Sequence, residues 1–341
     1  MSDHTTSDVL VVGSGIAGLA AALGAAREGS DVTLATKATR PEGASSWWAQ
    51  GGIAVSRDHP EQFKQDIIAA SDGTADPDAV DVLVENANDA VEDVLLETLD
   101  VEFDENGEGL DFAREAAHSE DRILHVDAAT GKHIHVPFLN YLDAHDGVEI
   151  LDDTAALELV RHEGRVHGAM LESDGEVTPH FAGSVVLATG GIGELYPRTT
   201  NPDNATGDGI AMAALAGADV EDMEYVQFHP TVAIPDEDDD GGVFLVSEAV
   251  RGEGALLRNG DGERFMPAYH ADAELAPRDV VARAVEAERE ATGEVTLDVS
   301  PLEFAADFPG LADRCEDHGI DYESGIPVAP AEHFLCGGVA V

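Results

Sequence analysis

The sequence predicts an α/β fold with a parallel sheet at its centre, and four stretches carry that prediction. Residues 9–12 are a short apolar run typical of a buried strand, and the alanine-rich run 19–23 is typical of a helix. Residues 31–35 and 184–189 read as further strands of the same sheet. Because strand, helix and strand follow one another as in a βαβ unit, the sequence predicts a doubly wound, Rossmann-like sheet.

Three glycines lie between the first strand and the first helix, in the pattern Gly13-x-Gly15-x-x-Gly18. The first allows a tight turn, the second lets backbone approach a pyrophosphate, and the third lets the helix pack close to the strand. The free N–H groups and the positive dipole end of the helix also favour phosphate. The alternative is a glycine-rich turn that binds nothing. We predict that this turn binds a dinucleotide through Gly13, Ser14, Gly15, Ile16, Ala17 and Gly18.

Later residues refine the prediction for the cofactor. Lys37 follows the second strand, where many NAD-binding folds carry the acidic residue that holds the ribose. The absence of that acid argues against a plain NAD dehydrogenase. Gly190 and Gly191 end a later strand and predict a second backbone approach to the same cofactor. Asp208 precedes an apolar helix, where it is either a helix cap or an acid that faces the ligand.

The composition describes a folded and very acidic protein. Its 341 residues are enough for more than one domain, and 43% of them are hydrophobic, which excludes a disordered chain. The 69 acidic and 18 basic residues give a formal charge of −51, so neither nucleic acid nor an anionic membrane is predicted as a partner. We interpret the charge as adaptation to a high-salt cytoplasm, where screening makes self-repulsion tolerable.

The cysteines and the apolar runs bear on the compartment. Cys315 and Cys336 form no disulfide framework, which fits a reducing environment. No apolar run reaches the length of about 18 residues that a membrane span needs, and the polar segment 1–8 leaves no room for a signal peptide. The sequence therefore predicts a soluble, cytoplasmic protein, and no metal site is predicted.

The segments between these motifs are less regular. Residues 43–55 form a loop of small residues with both tryptophans of the chain, which are either core or close to a flat ligand. Residues 60–100 have apolar positions at helical spacing. Residues 112–125 fit neither helix nor strand, and a solvated loop is the alternative. Residues 147–181 predict a small appended sheet, and 235–242 an acidic surface loop.

Arg278 is a candidate for anion binding. Pro277 suits the first position of a helix, which puts Arg278 in the first turn. Because the helix dipole opposes a cation there, Arg278 needs another reason, which is either an anionic substrate or a salt bridge to a neighbouring acid.

Motifs along the whole chain resemble one flavoprotein family, that of L-aspartate oxidase, fumarate reductase and succinate dehydrogenase. In chain order, the motifs are VVGSGIAGLAAA, SSWWAQGGIAV, LATGGIGELYP, TGDGIAMA, QFHPT, EAVRGEGALL, ERFM, LAPRDVVARA and HFLCGGVAV. The resemblance implies an FAD-binding domain interrupted by an α+β capping domain, with the substrate held between them at the flavin ring.

The resemblance also implies which residues form the site. His229, Ser247 and His333 would hold carboxylates, Arg278 would lie over the Cα–Cβ bond of the substrate, and Glu115 would orient an ammonium group. To the cofactor residues of the glycine turn, the family motifs add Lys37, Ser45, Ser46, Gln50, Gly51, Gly52, Thr189, Gly190, Gly191 and Asp208.

Three positions favour the L-aspartate oxidase branch of this family. Ser45 occupies the place where the respiratory enzymes commonly carry a histidine joined covalently to FAD, so non-covalent FAD is implied. Glu115 matches a glutamate typical of aspartate oxidases, and a dicarboxylate without an amino group would give it nothing to pair with. Cys336 stands where the respiratory enzymes usually have methionine. Ala116-Ala117 and Leu335 depart from the usual glycines and threonine.

The family pattern implies FAD-binding residues 1–228, a capping domain at 229–330 and a return strand at 331–341. It also implies a glycine-rich FAD segment, a carboxylate-clamping arginine and a helical C-terminal domain, which these 341 residues lack. The implied activity is oxidation of L-aspartate to iminoaspartate with oxygen or fumarate as acceptor, which would supply quinolinate synthase on the route to NAD. The alternatives are a soluble fumarate reductase or succinate dehydrogenase subunit, and an inactive FAD-binding fragment.

Overall fold

The computed structural model describes residues 5–107, 109–115, 117–127, 129–235 and 242–340. Most of the predicted acidic loop, 236–241, therefore lies outside the described residues. The strands are β1 (Thr5–Val12), β2 (Val32–Ala35), β3 (Ile53–Ala54), β4 (Glu105–Asn106), β5 (Gly109–Leu110), β6 (Phe112–Ala113), β7 (Ile123–Leu124), β8 (Val148–Leu151), β9 (Ala155–His162), β10 (Arg165–Ser173), β11 (Glu176–Leu187), β12 (Val220–Glu221), β13 (Val226–Ala233), β14 (Phe244–Leu245), β15 (Leu256–Asn259), β16 (Val295–Asp298), β17 (Ile326–Leu335) and β18 (Gly338–Val339).

Helices connect these strands. They are α1 (Ile16–Arg27), α2 (Pro60–Ala70), α3 (Pro77–Ala90), α4 (Thr130–Asp143), α5 (Asp208–Leu215), α6 (Glu248–Gly252), α7 (Met266–Tyr269), α8 (Arg278–Thr292), α9 (Phe304–Asp307) and α10 (Pro309–Asp317). A π-helical segment, Val91–Thr98, continues α3, and short 3₁₀ turns cover Pro41–Gly43, Ser45–Trp48, Gly193–Leu195, Ala273–Leu275 and Tyr322–Ser324. The region predicted as helical at 60–100 is thus three helical segments.

A six-stranded sheet forms the centre of the first half of the protein. Its order is β8-β2-β1-β11-β10-β9, and β1 runs parallel to both β2 and β11. The central strands are apolar because helices cover the sheet, and α1 buries Leu19, Ala22 and Leu23 against it. This arrangement is the predicted strand–turn–helix unit.

The antiparallel strands between 155 and 187 correct one prediction. The sequence predicts a small appended sheet near 147–181; β9 and β10 are appended to the edge of the main sheet and form no sheet of their own. They do so because β11 is a continuous strand of 12 residues: residues 176–181 pair with β10, and residues 180–187 pair in parallel with β1. β8 pairs in parallel with β2 at the opposite edge.

The segment 112–125 also differs from a solvated loop. Its ends form β6 and β7, which join β3 in a three-stranded sheet. Ile123, Leu124 and the side chain of Arg122 are buried. The irregular charge pattern concealed two strands because each has only two residues, too few to show a period.

A second sheet, of order β14-β13-β17-β16-β15, organises the later residues. Its core draws on residues between Ala233 and Val328, with α8 packed on β13 and β17. The predicted limits at 228/229 and 330/331 fall inside β13 and β17, respectively. The predicted return strand 331–341 is not one strand: residues up to Leu335 continue β17, paired to β13 as far as Val226, and β18 then pairs with β12.

Candidate active site

The glycine turn after β1 is built for close backbone approach. Gly13 has φ +108°, and a Cβ there would lie 2.2 Å from the carbonyl oxygen of Ala188 at the end of β11. A Cβ on Gly18 would lie 1.9 Å from the oxygen of Gly13, so α1 begins directly against the turn. Gly15 is the N-cap of α1, and no side chain caps the helix or places an acid in its first turn. The N-terminus of α1 is thus suited to an anion.

Thr36 and His135, which the sequence analysis did not single out, form hydrogen bonds with Ser14 of this turn. The hydroxyl groups of Ser14 and Thr36 lie 2.9 Å apart and are buried. His135 of α4 donates from Nε2 to the carbonyl oxygen of Ser14 at 2.7 Å, and burial lowers the pKa of this histidine. A histidine in an otherwise apolar helix stretch was the available signal, but its partner is 121 positions away.

Lys37 and Asp208 form an ion pair at 2.8 Å beside the turn. Thr206 bonds to both, and the bond from Lys37 is the main cause that lowers the pKa of the Asp208 carboxyl. The cap alternative for Asp208 is wrong, because Gly207 is the N-cap of α5 and Asp208 is its first residue. The lysine of this pair occupies the position after β2 at which many NAD-binding folds carry an acidic residue.

These elements enclose a first cleft, which we call the nucleotide cleft. Predicted cofactor residues that line it are Gly13, Ser14, Gly15, Lys37, Ser45, Ser46, Thr189, Gly190 and Asp208. Ile16, Ala17, Gly18 and Gly191 do not line it; the backbone N–H of Ile16 donates to Ser46 Oγ at 3.0 Å, which ties the loop at 45–48 to α1. The uncapped helix end, the glycine backbone and Lys37 fit the phosphates and ribose of a dinucleotide such as FAD.

A second cleft of about 550 Å³ continues from the first, and we call it the substrate cleft. Both clefts share Ser45 and Ser46. The volume is in the range of small-molecule sites. Predicted residues that line it are Gln50, Gly51, Gly52, Glu115, His229, Ser247, Arg278 and His333. The structure thus brings all five predicted catalytic residues together at one end of a continuous trench.

Trp48 lines the substrate cleft, and neither tryptophan is buried in the core. Trp48 is 40% exposed and donates from Nε1 to the carbonyl oxygen of Glu42 at 2.7 Å. Trp47 is half-buried, packs edge-on against Trp48 and receives the Lys132 ammonium 5.7 Å from its ring centre. The core alternative is therefore wrong for both.

The Glu115 carboxylate lies against the glycine pair of the loop. A Cβ on Gly51 would lie 2.2 Å from Glu115 Oε1, so the absence of a side chain at 51 makes room for the carboxylate. Gly52 has φ +127°, and a Cβ there would lie 2.3 Å from the carbonyl oxygen of Leu124. The loop can take this path only with glycine at 52.

His229 and His333 lie side by side with ring centres 5.5 Å apart. Burial and the Arg278 charge hold the pKa of His229 well below its usual value, and the same causes lower the pKa of His333 to about 4. His229 Nδ1 accepts from the N–H of Thr231 at 3.3 Å, so the neutral ring carries its proton on Nε2. His333 Nδ1 bonds to Thr200 Oγ1 at 2.6 Å.

Arg278 is the first residue of α8, after Pro277 as N-cap. Its Nε donates to Glu248 at 2.6 Å and its Nη1 to Gln227 at 3.1 Å. The salt-bridge alternative for Arg278 is confirmed, because the guanidinium pairs with the Glu248 carboxylate. The guanidinium also lines the substrate cleft, and its binding of an anionic substrate stays a prediction. Ser247 caps α6 by accepting from the N–H of Ala249 at 3.3 Å.

Two further arginines escaped the sequence analysis. Arg251 is 1% exposed; it donates to the carbonyl oxygen of Glu274, and its Nη2 lies 3.8 Å from Glu248. Arg314 of α10 lines the substrate cleft with its guanidinium 4.8 Å from the ring centre of Phe244. Arg251 lies three residues after Glu248 within the motif EAVRGEGALL, so a local signal for it was available. No local pattern marks Arg314, because it reaches the substrate cleft only through the packing of α10.

The described part of the chain has no group of three or more His, Cys, Asp or Glu side chains arranged to hold a metal ion. Among the same residues no helix is both long and apolar enough to cross a membrane. Cys315 is buried and Cys336 exposed, and both are free thiols.

The chain resembles known proteins over almost its whole length. The family model described as "FAD binding domain" matches residues 8–341. The chain is 68% identical to the L-aspartate oxidase of Halobacterium salinarum, covering 100% of this chain and 67% of that protein. It is 43% identical to the L-aspartate oxidase of Streptomyces coelicolor, covering 98% and 60% of the two chains. The chain thus spans about three fifths to two thirds of the length of these relatives.

Solved structures show the same fold. E. coli quinol fumarate reductase superimposes with a TM-score of 0.88 at 27% identity, over 99% of this chain and 62% of that one. Mycobacterium smegmatis Sdh1 superimposes with a TM-score of 0.86 at 29% identity, over 99% and 60%. The matches confirm the predicted α/β fold, the resemblance and FAD as the cofactor.

Proposed function

Because the chain belongs to the L-aspartate oxidase family of FAD-binding flavoproteins, we propose that it is the FAD- and substrate-binding part of an L-aspartate oxidase. The charge pattern of the substrate cleft carries this proposal. It combines the guanidinium of Arg278, the neutral rings of His229 and His333, and the carboxylate of Glu115. L-Aspartate offers the complementary groups, which are two carboxylates and one ammonium.

His229, His333 and Ser247 hold the substrate carboxylates in this proposal. A neutral imidazole with its proton on Nε2 donates a hydrogen bond to a carboxylate without adding charge to a buried site. Arg278 supplies the positive charge near the Cα–Cβ bond. A guanidinium seldom loses its proton, so Arg278 acts through its field and its hydrogen bonds. Glu248 and Gln227 fix its orientation.

Glu115 pairs with the substrate ammonium and assists its deprotonation. The amino acid then loses a hydride from Cα and a proton from nitrogen, which leaves the C=N bond of iminoaspartate. FAD, when bound, supplies the two-electron acceptor for that hydride. The residues of the chain bind the substrate, orient its Cα–H bond and hold the opposing charges in place.

The nucleotide cleft binds FAD without a covalent bond in this proposal. Ser45 lines both clefts. It offers a hydroxyl group at the position where family members that bind FAD covalently carry a histidine. Residues 1–228 supply the FAD-binding domain and 229–330 the capping domain. The site lies at the strands β13 and β17, which cross the limits between them.

The acceptor of the electrons is oxygen or fumarate. The product iminoaspartate is a substrate for quinolinate synthase, so the enzyme catalyses the first step towards quinolinate and NAD and acts in the cytoplasm. Quinolinate synthase is the proposed functional partner.

The test uses the full-length protein purified in high salt with its flavin. L-Aspartate added without oxygen should bleach the flavin absorbance, while D-aspartate should not, and acid precipitation should release the flavin into the supernatant. Bleaching by succinate and not by L-aspartate would instead identify a succinate dehydrogenase or fumarate reductase subunit. A protein that binds no flavin would contradict the proposal and favour an inactive fragment.

A further inference from the structure

The side chain of Asp66, on α2, holds the loop that follows Glu115. Its Oδ2 accepts hydrogen bonds from Ser119 N at 3.0 Å, Ser119 Oγ at 2.8 Å and Arg122 Nη2 at 2.9 Å. The Arg122 side chain is fully buried, so this charge depends on its carboxylate partners. Glu120 lies 3.3 Å from the same nitrogen, but without the geometry of a hydrogen bond.

Phe63 adds an apolar contact from the same face of α2. It precedes Asp66 by three residues, so the two side chains are neighbours on the helix. The Arg122 guanidinium lies 4.5 Å from the Phe63 ring centre, and the His118 ring centre lies 5.8 Å from it. We call Phe63, Asp66, His118, Ser119 and Arg122 the α2 clasp.

The clasp bears directly on the position of Glu115. The N–H of His118 donates to the carbonyl oxygen of Glu115 at 3.3 Å, which closes a turn between them. Ala117 in that turn has φ +67°, a left-handed conformation that costs a non-glycine residue about 1 kcal/mol and persists only with support from its surroundings. The α2 clasp gives that support two residues further along the chain.

The clasp also links two separately packed parts of the molecule. Phe63, Val80 and Val84 form a small core of their own, apart from the larger clusters under the main sheet. The hydrogen bonds of Asp66 therefore tie α2 and α3 to the loop that carries Glu115. Without them this loop would keep its short strands β6 and β7 but lose the anchor of the turn between them.

We propose that Asp66 is a positioning residue that holds the Glu115 carboxylate over Gly51 and thereby sets the preference of the substrate cleft for dicarboxylates that carry an ammonium group. The inference rests on the proposed function, since Glu115 pairs with an ammonium only if the substrate has one. A ligand with the same carboxylates and no ammonium should be insensitive to Asp66.

The experiment uses the flavin-loaded full-length protein and the substitution Asp66→Asn. The rate of anaerobic flavin bleaching against L-aspartate concentration gives an apparent affinity, and the change of flavin absorbance on titration with succinate gives a second. We expect the affinity for L-aspartate to fall about tenfold, as a displaced charge partner would cause, and that for succinate to change less than about twofold. Asp81→Asn is the matched control, because Asp81 pairs with Lys64 across α2 and α3 and is not part of the clasp.

Ser119→Ala is the gentler variant, since it removes the hydroxyl bond to Asp66 and a long one from Arg122 at 3.5 Å but leaves the Asp66–Arg122 pair intact. It should weaken L-aspartate binding in the same selective way but by less, and it decides the matter if Asp66→Asn does not fold. Equal losses for both ligands, or no loss in either variant, would overturn the inference. Glu115→Gln separates the two claims: if it alone is selective, only the role of Asp66 fails; if it is not selective, the proposed role of Glu115 fails.

Discussion

In the proposed function, a neutral histidine pair beside an arginine determines what the substrate cleft can bind. His229 is 1% exposed and faces Arg278, so protonation would bury a second positive charge next to the first. In the proposed function, the two neutral rings and the Arg278 guanidinium bind the two substrate carboxylates and leave the carboxylate of Glu115 free to take the ammonium. At the residue scale, the proposed selectivity for the substrate therefore depends on His229 and His333 staying uncharged.

Gly51→Ala tests the contact between the loop and Glu115. The new Cβ would lie 2.2 Å from Glu115 Oε1, and because this is the end of a flexible side chain, the carboxylate should move and the fold should remain. We expect the melting temperature to change little and kcat/KM for L-aspartate to fall at least about tenfold. Steady-state oxidation and thermal melts measure the two effects.

Gly24→Ala is its control, because Gly24 lies inside α1 with nothing within 4 Å of the added Cβ. It should leave kcat/KM unchanged and stabilise the helix by about 1 kcal/mol. If Gly51→Ala leaves kcat/KM at the level of the control, Glu115 does not need the space at residue 51.

The low pKa of His333 predicts an acid sensitivity with a defined sign. Its folded pKa of about 4 lies below the usual 6.5, so the unfolded chain binds the proton first as the pH falls. The contribution of His333 to stability is present above about pH 6.5 and is lost progressively towards pH 4, by up to about 3 kcal/mol. Urea unfolding of the wild type and of His333→Gln at several pH values measures it, and a difference that does not vary with pH would contradict the prediction.

Among the elements, the two long strands of the second sheet assemble the site. β13 and β17 are antiparallel neighbours, with His229 opposite Ala331, so His229 and His333 come together although 104 residues separate them. The buried carboxylate of Glu332 accepts from Thr199 and Asn201, which fixes β17 to the loop after β11. The substrate cleft therefore lies between elements that are distant in sequence.

This arrangement explains how far sequence reasoning could go. The β1–α1 turn was predictable because its glycine pattern is local. That Glu115, Arg278 and His333 belong to one site was predictable because they match the family. The partners were not: His135 under Ser14, and Glu332 beside Thr199, follow from strand pairing and helix packing. The boundary inside β17 was missed because a strand shared by two regions has no break in its apolar pattern.

Gly13→Ala tests the first element junction. The residue would need φ +108°, and its Cβ would meet the backbone oxygen of Ala188 at 2.2 Å, which cannot move without distorting β11. We expect a loss of at least about 3 kcal/mol in unfolding free energy together with loss of bound flavin. Urea unfolding and the flavin-to-protein absorbance ratio measure the two.

Gly190→Ala is the matched control, with φ +73° and no atom within 4 Å of the added Cβ. Only the strain of a left-handed alanine remains, so it should cost about 1 kcal/mol. Equal destabilisation by the two substitutions would show that the close approach to Ala188 is not what requires glycine at 13.

At the scale of the whole molecule, the large negative net charge opposes the binding of an anionic substrate in the cleft. A formal charge of −51 repels the protein's own carboxylates and also the proposed substrate, whose two carboxylates outweigh its one ammonium. Few cations of the described residues line the clefts: Arg278 and Arg314 line the substrate cleft and Lys37 lines the nucleotide cleft. Lys37 and Arg278 each have an acidic partner, so these two cations do little to offset the negative net charge. Screening by salt should therefore affect both folding and substrate capture.

Stability and kcat/KM should both rise with KCl concentration. At about 1 M salt the Debye length is near 3 Å, so repulsion between surface carboxylates is suppressed while the ion pairs in the clefts, at 2.6–2.8 Å, persist. Thermal melts and anaerobic flavin bleaching across a KCl series, compared with glycine betaine at matched osmolality, separate screening from solute exclusion, because betaine carries no net charge. Equal stabilisation by the two solutes would assign the effect to exclusion, and a flat response to KCl would mean that the carboxylates are too well hydrated for their repulsion to matter.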